Sequence, residues 1–375
     1  MEEGQHVLGK GDTCMLKIPN KITALTAQWL TKALRDREVI KNTEVQSFTV
    51  ETLGYKGITS QIARLRLSYQ SETTAHAPNT IILKLSLANP EMRQIVNSQG
   101  MYQKEVDFYE QVASKISLRT PRCYYSDFSA DSGEHILLLE DLAPARNGNQ
   151  IKGCTEHEAE LAVREIAVFH AFWWEHPQLN LMDWLGGRIS SRPSNGSLRR
   201  NWGPFLIKMG DTLPVEIKSI GDQLIEYRNN IIQYLEAPPV TLIHGDYKLD
   251  NIFFASLNGG VTFAVIDWQR IRRWRGVYDV ACFLCKNITP ELRRAKETAF
   301  MQMYHKLLIE HGVQNYSYDQ LWYDYRVSIL EYLARFANII GAGVFDNQLA
   351  QVRETTLYRT CQAVLDLKLW DLLPV

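Results

Sequence analysis

Cysteine is scarce: the chain has six in 375 residues, too few for a disulfide scaffold. Only Cys282 and Cys285 are closely spaced, inside an apolar helical pattern with no second Cys or His pair at zinc-ligand spacing, and they read as a plain core pair. No apolar run approaches the ~18 residues that a membrane span needs. The first twenty residues mix Glu2, Glu3, His6, Lys10, Asp12 and Lys17 with few consecutive apolar side chains, so they lack the h-region of a secretory signal and predict a cytoplasmic setting without a membrane partner. Charge of one sign is lacking too: 41 Lys+Arg against 42 Asp+Glu give a formal net charge of -1, which argues against a nucleic-acid partner. There is no Gly-x-Ser-x-Gly elbow, no Gly-x-Gly-x-x-Gly and no Gly-x4-Gly-Lys-Ser/Thr, which removes the simplest hydrolase, dinucleotide and P-loop readings. His170 and His176 have no Cys or carboxylate at metal spacing and read as ordinary helix residues. Neither an internal repeat nor a low-complexity tract is found.

What is present is an ordinary globular composition, 45% hydrophobic and 22% charged, with periodicity that changes along the chain. Residues 20–38 carry Ile22, Leu25, Trp29, Leu30 and Leu34 at helical spacing. Val45 to Leu53, Gln61 to Tyr69 and Thr80 to Leu87 then read as three antiparallel strands, separated by Gly54, Gly57 and a polar turn. Gln99 to Ser114 returns to helix, and Arg122 to Ser126 and His135 to Leu139 read as two more strands. Pro144, Gly148 and Gly153 break all periodicity. Beyond them a capping box, Thr155 with Glu158, opens a helix through Trp174, and helices are predicted over 217–235, 290–311, 317–340 and 347–370. Two short strands, Ile252 to Ala255 and Val261 to Ile266, flank the hairpin signal Asn258-Gly-Gly260.

The chemistry concentrates in Leu242-Ile-His-Gly-Asp-Tyr-Lys-Leu-Asp-Asn-Ile-Phe-Phe254, followed by Ala264-Val-Ile-Asp-Trp-Gln269. An Asp and an Asn five residues apart, then a second Asp at a strand end, form the set that phosphoryl transfer from ATP requires. One carboxylate orients the acceptor hydroxyl, and oxygen ligands hold Mg²⁺ on the phosphates. Asp246 takes the first role, Asn251 and Asp267 the second. Lys84, inside the apolar run Ile81-Ile-Leu-Lys-Leu85, is a charge that burial makes costly without a partner.

The segments His244-Gly-Asp-x4-Asn251 and Ile266-Asp-Trp-Gln269 resemble the signature of the aminoglycoside phosphotransferase and choline kinase superfamily. Leu137-Leu-Leu-Glu-Asp-Leu142, Trp173-Trp174 and the Asp-Trp-Gln ending are most similar to its ecdysteroid kinase-like subfamily. The resemblance implies an α+β, bilobal protein kinase-like fold, with a small lobe of antiparallel sheet plus one helix and a large, mainly helical lobe. The expected division is 1–142 for nucleotide binding and 143–375 for the catalytic loop, metal site and acceptor pocket. It further implies that Glu105 partners Lys84 in positioning the α- and β-phosphates, that the turn with Gly54 and Gly57 covers the phosphates, and that the Glu140 carbonyl and Leu142 amide bond the adenine edge. Lys248, where the aminoglycoside enzymes often carry His and protein kinases Lys, would counter charge on the transferring group. His244 and Asp279 would hold the catalytic loop, Asp279 also capping the helix that starts beside it.

The implied reaction is ATP- and Mg²⁺-dependent phosphorylation of a hydroxyl on a small-molecule alcohol. Phe172, Trp173, Trp174, Trp184, Trp202, Phe205, Trp322, Tyr323, Tyr325, Tyr332 and Phe336 fall where the acceptor pocket of this fold is built. They favour an uncharged or weakly charged acceptor, apolar or aromatic-stacking, steroid-like by the resemblance; aminoglycoside, macrolide and choline-type acceptors are the alternatives. The run Arg270, Arg272, Arg273, Arg275 beside Trp274 reads either as a contact for phosphate or an anionic acceptor, or as a solvated loop. A kinase-like binding or regulatory module is a different class, but such modules usually lose one of the residues that are retained here as Lys84, Asp246, Asn251 and Asp267. A protein-substrate kinase would need an Ala-Pro-Glu element and a longer segment between Gln269 and Asp279.

Overall fold

A computed structural model describes residues 16–53, 59–70, 77–186, 194–256, 259–344 and 349–374. Gly54, Gly57 and the hairpin tip at Asn258 lie outside the described residues. The chain divides into two compact units, Met1–Tyr102 with Arg122–Asp141, and Gln103–Pro121 with Leu142–Val375.

The first unit opens with helix α1 (Ala27–Asp36), N-capped by the Thr26 side chain accepting from Trp29 N–H. Strands β1 (Val45–Thr52), β2 (Ser60–Tyr69) and β3 (Thr80–Ser86) follow. After two helices come β4 (Cys123–Phe128) and β5 (His135–Glu140). The sheet order is β1-β2-β3-β5-β4, every pair antiparallel. Leu65, Leu67, Ile81, Leu83, Leu85, Ile136 and Leu138 alternate onto the face that packs with Leu30, Ala33 and Leu34 of α1 into one core. The sequence pattern yields one helix between β3 and β4, whereas the chain forms two, α2 (Pro90–Asn97) and α3 (Met101–Gln111). The missed α2 carries the start signals of Asn89 as N-cap and Pro90 at N1, but at eight residues it is only about two turns long, too short for the spacing of Met92, Ile95 and Val96 to stand out as a helical period.

The second unit is mainly helical. Thr155 and Glu158 form both bonds of the capping box at the start of α4 (Glu156–Trp173). α5 (Ser194–Met209) comes next, unpredicted because Gly196, Gly203 and Pro204 interrupt its pattern. The predicted helix over 217–235 is two helices, α6 (Val215–Ser219) and α7 (Gly221–Glu236). They meet at Gly221, where a Cβ would lie 2.4 Å from the Trp202 ring nitrogen. Three strand pairs frame the loop from His244 to Asn251. β6 (Arg146–Asn147), β8 (Ile252–Ser256) and β9 (Gly259–Val265) form one small sheet, and β7 (Thr241–Ile243) pairs with β10 (Arg272–Trp274). α8 (Val277–Asn287), α9 (Pro290–Glu310), α10 (Tyr318–Gly341) and α11 (Ala350–Asp366) complete the unit. Cys282 and Cys285 are buried free thiols in α8. Among the described residues no helix is long and apolar enough to cross a membrane.

Candidate active site

The loop from His244 to Asn251 is pinned on all sides within the second unit. Tyr247 is fully buried, and its hydroxyl donates to the Ala162 carbonyl at 2.8 Å. Leu249 N–H donates to Asn287 Oδ1 at 3.0 Å. Asp250, given no role by the sequence, accepts from Gln150 N–H at 2.9 Å through its carboxylate. Asp279, wholly buried, accepts from His244 N–H at 2.6 Å and Gly245 N–H at 2.9 Å. It does not cap α8 as expected: Asp279 sits in the first turn of that helix, and the N-cap residue Gly276 has no side chain to do so. Both its oxygens are directed instead to the two loop amides, which would otherwise be buried donors without acceptors.

His244 acts as a local brace. Its Nδ1 accepts from Asp246 N–H at 3.2 Å, so Nε2 carries the proton and donates to the Ile266 carbonyl at 2.9 Å. Burial lowers its pKa against the opposing pull of Asp279, in keeping with a neutral ring. Gly245 adopts φ +78°, and a Cβ there would stand 2.3 Å from the Arg270 carbonyl oxygen. A Gly245→Ala variant is therefore expected to lose at least about 2 kcal/mol of stability, from a left-handed backbone and a backbone clash together. Thermal unfolding measures this, and an unchanged midpoint would show that the loop relaxes freely.

Asp246 is the centre of charge. Its carboxylate lies 3.0 Å from Lys248 Nζ, 3.2 Å from Lys286 Nζ and 3.6 Å from an Arg335 guanidinium nitrogen. Burial alone would raise its pKa, but Lys248, Lys286, Arg335 and Arg270 outweigh burial and hold the carboxyl well below the usual range. The same attraction, led by Asp246 and Asp267, overcomes burial at Lys248 and raises its pKa. Lys286 and Arg335 escaped the sequence reading because they come from α8 and α10, far along the chain. Lys286 is almost fully buried, with its ammonium 5.1 Å from the centre of the Tyr332 ring. Its position in the apolar run of α8 was the available signal, the same burial argument that picked out Lys84.

Asn251 and Asp267 are brought together by the backbone: Ile266 N–H donates to the Asn251 carbonyl at 2.9 Å. Asn251 Nδ2 donates to the Asp246 carbonyl at 3.0 Å, which commits the amide nitrogen and leaves its oxygen as the ligand-capable atom. Asp267 takes a left-handed backbone, φ 68°, ψ 59°, and accepts from Gln269 Nε2 at 3.1 Å. Trp268, buried next to it, stacks on Phe108 at 4.1 Å and meets Phe169 edge-on at 5.2 Å, fixing the turn. One carboxylate and one amide oxygen fit Mg²⁺, a hard cation that takes its remaining ligands from water and phosphate. Among the described residues no three His, Cys, Asp or Glu side chains form a metal cage.

The other predicted positions fall as follows. Lys84 is buried in the middle of the first unit's sheet, opposite Ile62 and Leu137. Glu105 is buried on α3 in the second unit. Glu140 ends β5, where its carboxylate accepts from Arg122 N–H at 2.8 Å, and the Leu142 carbonyl accepts from Ala145 N–H at 2.9 Å. Of the candidate pocket aromatics, Trp173, Trp202, Phe205, Tyr325, Tyr332 and Phe336 are buried in the helical core. Arg275 is structural: it pairs with Asp324 at 2.9 Å and lies over the Tyr234 ring at 4.2 Å.

The sequence profile of the ecdysteroid kinase-like family matches residues 55–315. Among solved structures, a candidate aminoglycoside phosphotransferase of Ralstonia eutropha JMP134 superposes with a TM-score of 0.53 at 15% identity, over 92% of this chain and 99% of its own. A choline kinase of Cryptosporidium parvum Iowa II superposes with a TM-score of 0.50 at 13% identity, over 87% of this chain and 92% of its own. No curated protein matches by sequence. These superpositions establish the α+β protein kinase-like fold.

Proposed function

The chain belongs to the ecdysteroid kinase-like family and is a small-molecule kinase, and from that premise we propose that it transfers the γ-phosphoryl group of ATP to a hydroxyl of a small-molecule alcohol in the cytoplasm. The observation that carries this reading is the Asp246 carboxylate, ionised and held by three cations, on a loop whose Asn251 is tied by the backbone to the Asp267 strand. A carboxylate so far below its ordinary pKa is a poor proton acceptor in the ground state. Asp246 therefore orients the acceptor hydroxyl and takes its proton only as the oxygen becomes bonded to phosphorus. That suits a loose phosphoryl-transfer transition state, in which positioning and charge do most of the catalysis.

Asn251 and Asp267 would hold Mg²⁺, which when bound neutralises charge on the phosphates. Lys248 faces the same carboxylates and supplies positive charge beside the transferring group. Residues 1–142 are assigned to nucleotide binding: Lys84 with Glu105 for the α- and β-phosphates, the Gly54 and Gly57 turn above them, and the backbone of Glu140 and Leu142 at the adenine edge. Residues 143–375 are assigned to catalysis and acceptor binding. His244 and Asp279 hold the loop and touch no reacting atom.

The test is direct. Purified protein with ATP and Mg²⁺ is screened against alcohols, amino alcohols, steroids, macrolides and aminoglycosides, with mass detection of a phosphate ester. Phosphorylation of at least one acceptor is expected. Failure across the panel together with no nucleotide binding would overturn the assignment in favour of a binding module.

A further inference from the structure

α4 and α9 bury a hydrogen-bonded pair of side chains directly behind Asp279. His170 on α4, Tyr304 on α9 and Asp279 on α8 are all wholly buried. His170 Nε2 lies 3.3 Å from Asp279 Oδ2, and its Nδ1 lies 2.8 Å from the Tyr304 hydroxyl. The donors run in one direction. Asp279 Oδ2 already accepts from His244 N–H at 2.6 Å and Oδ1 from Gly245 N–H at 2.9 Å, and a carboxylate offers no proton, so His170 Nε2 carries one and donates it. Nδ1 is then the acceptor for the Tyr304 O–H. A chain of oriented bonds therefore runs from Tyr304 through His170 and Asp279 to the two amides that precede Asp246.

The surrounding backbone holds this chain in place. The His170 carbonyl accepts from the Thr241 hydroxyl at 2.7 Å, which ties α4 to β7, the strand that enters the loop. Earlier in the same helix the Ala162 carbonyl accepts from the Tyr247 hydroxyl, so α4 grips the loop on both sides of Asp246. Gly276, at the start of α8, passes so close that a Cβ there would lie 2.7 Å from the Tyr304 hydroxyl and 3.0 Å from His170 Nδ1, which leaves the imidazole little room to turn. Nothing in the local sequence marks His170 for this position, since Asp279 and Tyr304 lie 109 and 134 residues farther on. An Asp279 carboxylate held by the loop amides alone could pivot and carry Gly245 with it. Asp246 would follow, and a misplacement of about 1 Å in such a group costs about 10²-fold in rate.

We propose that His170, oriented by Tyr304, is a positioning residue for phosphoryl transfer: it fixes the Asp279 carboxylate, and through the His244 and Gly245 amides it sets the Asp246 carboxylate against the acceptor hydroxyl. The inference rests on the kinase reading and deepens it. His170 acts only through Asp279 and touches no reacting atom.

The experiment compares the full-length protein with its His170→Leu, His170→Gln and Tyr304→Phe variants, using the best acceptor from the phosphorylation screen. His170→Leu is expected to lower kcat about 10²-fold while the KM for ATP moves less than about twofold. Gln has an amide N–H to donate to Asp279 and an oxygen to accept from Tyr304, so His170→Gln should recover at least about tenfold of that loss. Tyr304→Phe deletes one hydroxyl from the chain and should lower kcat about fivefold at unchanged KM, which keeps the test open where the leucine variant does not fold. A second arm follows amide hydrogen exchange by mass spectrometry. Residues 241–251 should exchange faster in His170→Leu than in wild type, and slower again in His170→Gln, with protection in the first unit's sheet unchanged. Wild-type kcat in His170→Leu, an equal change in the KM for ATP, an unchanged loop exchange, or Gln no better than Leu would each overturn the proposal and leave His170 a packing residue. A loosened loop in a protein whose wild type phosphorylates nothing would uphold the hold of His170 on the loop and sink the kinase reading. Turnover indifferent to the His170 variants would do the reverse, and neither turnover nor loosening would sink both.

Discussion

Asp246→Asn is expected to lower kcat about 10³-fold, the usual worth of a positioned acid-base group, with the KM for ATP changed by less than about twofold. Asn keeps the size of the side chain and one of its oxygens, so the loop backbone, held by His244 and Asp279, has no reason to move. What disappears is the negative charge that aligns the hydroxyl and receives its proton. The same change leaves Lys248, Lys286 and Arg335 facing one another without their shared counter-ion, so the variant also loses stability. Its pH dependence has a definite sign. The folded pKa of Asp246 lies below its ordinary 3.8, so its contribution is fully present above that value and is lost as pH falls through the folded pKa. The variant should lack this part of acid unfolding. Adding Lys286→Met to Asp246→Asn separates the two effects: the double variant should regain thermal stability and remain inactive. Activity within tenfold of wild type in Asp246→Asn would remove Asp246 from the chemistry.

The candidate catalytic loop was legible because its residues are local. His244, Gly245, Asp246, Lys248 and Asn251 fit in eight residues, and β8 and β9 lead directly to Asp267. The β-strands of the first unit were legible for a related reason, since each is long enough for period-two alternation to be read. Elements without periodicity were not: β6, β7 and β10 have two or three residues each, and α5 hides its helix behind two glycines and a proline. Long-range partners were the larger loss. Lys286 and Arg335 reach Asp246 only because α8 and α10 converge on the loop, and a single sequence carries no record of that convergence. Asp279 was identified, but its second role was misjudged. A carboxylate in the first turn of a helix suggests a cap, whereas two loop amides with no other acceptor claim both of its oxygens. The arginine run shows the same limit. Four similar residues in six positions separate into Arg275, paired with Asp324, Arg273, bonded to the Leu179 carbonyl at 3.2 Å, Arg272, set 4.9 Å over the Trp274 ring, and Arg270, one of the cations that hold the Asp246 pKa down.

Asp267→Asn is expected to reduce kcat by roughly 10³-fold and to raise the Mg²⁺ concentration needed for half-maximal rate by at least about tenfold, since a metal ion supplies several kcal/mol to this transition state. Asn is the informative replacement because position 267 is left-handed, φ 68°, a conformation that Asn tolerates nearly as well as Gly and that Ala resists. The backbone bond between Ile266 and Asn251 and the stack of Trp268 on Phe108 do not involve the carboxylate, so the variant should keep its fold and its thermal midpoint within a few degrees. Loss of charge is then the main change, and it acts through the metal. Rate measured against Mg²⁺ concentration distinguishes the outcomes. A curve displaced to higher Mg²⁺ assigns Asp267 to the ion, whereas a fall in rate with an unchanged Mg²⁺ midpoint would mean that Asp267 serves through its electrostatic pull on Lys248, and that the ion is held elsewhere.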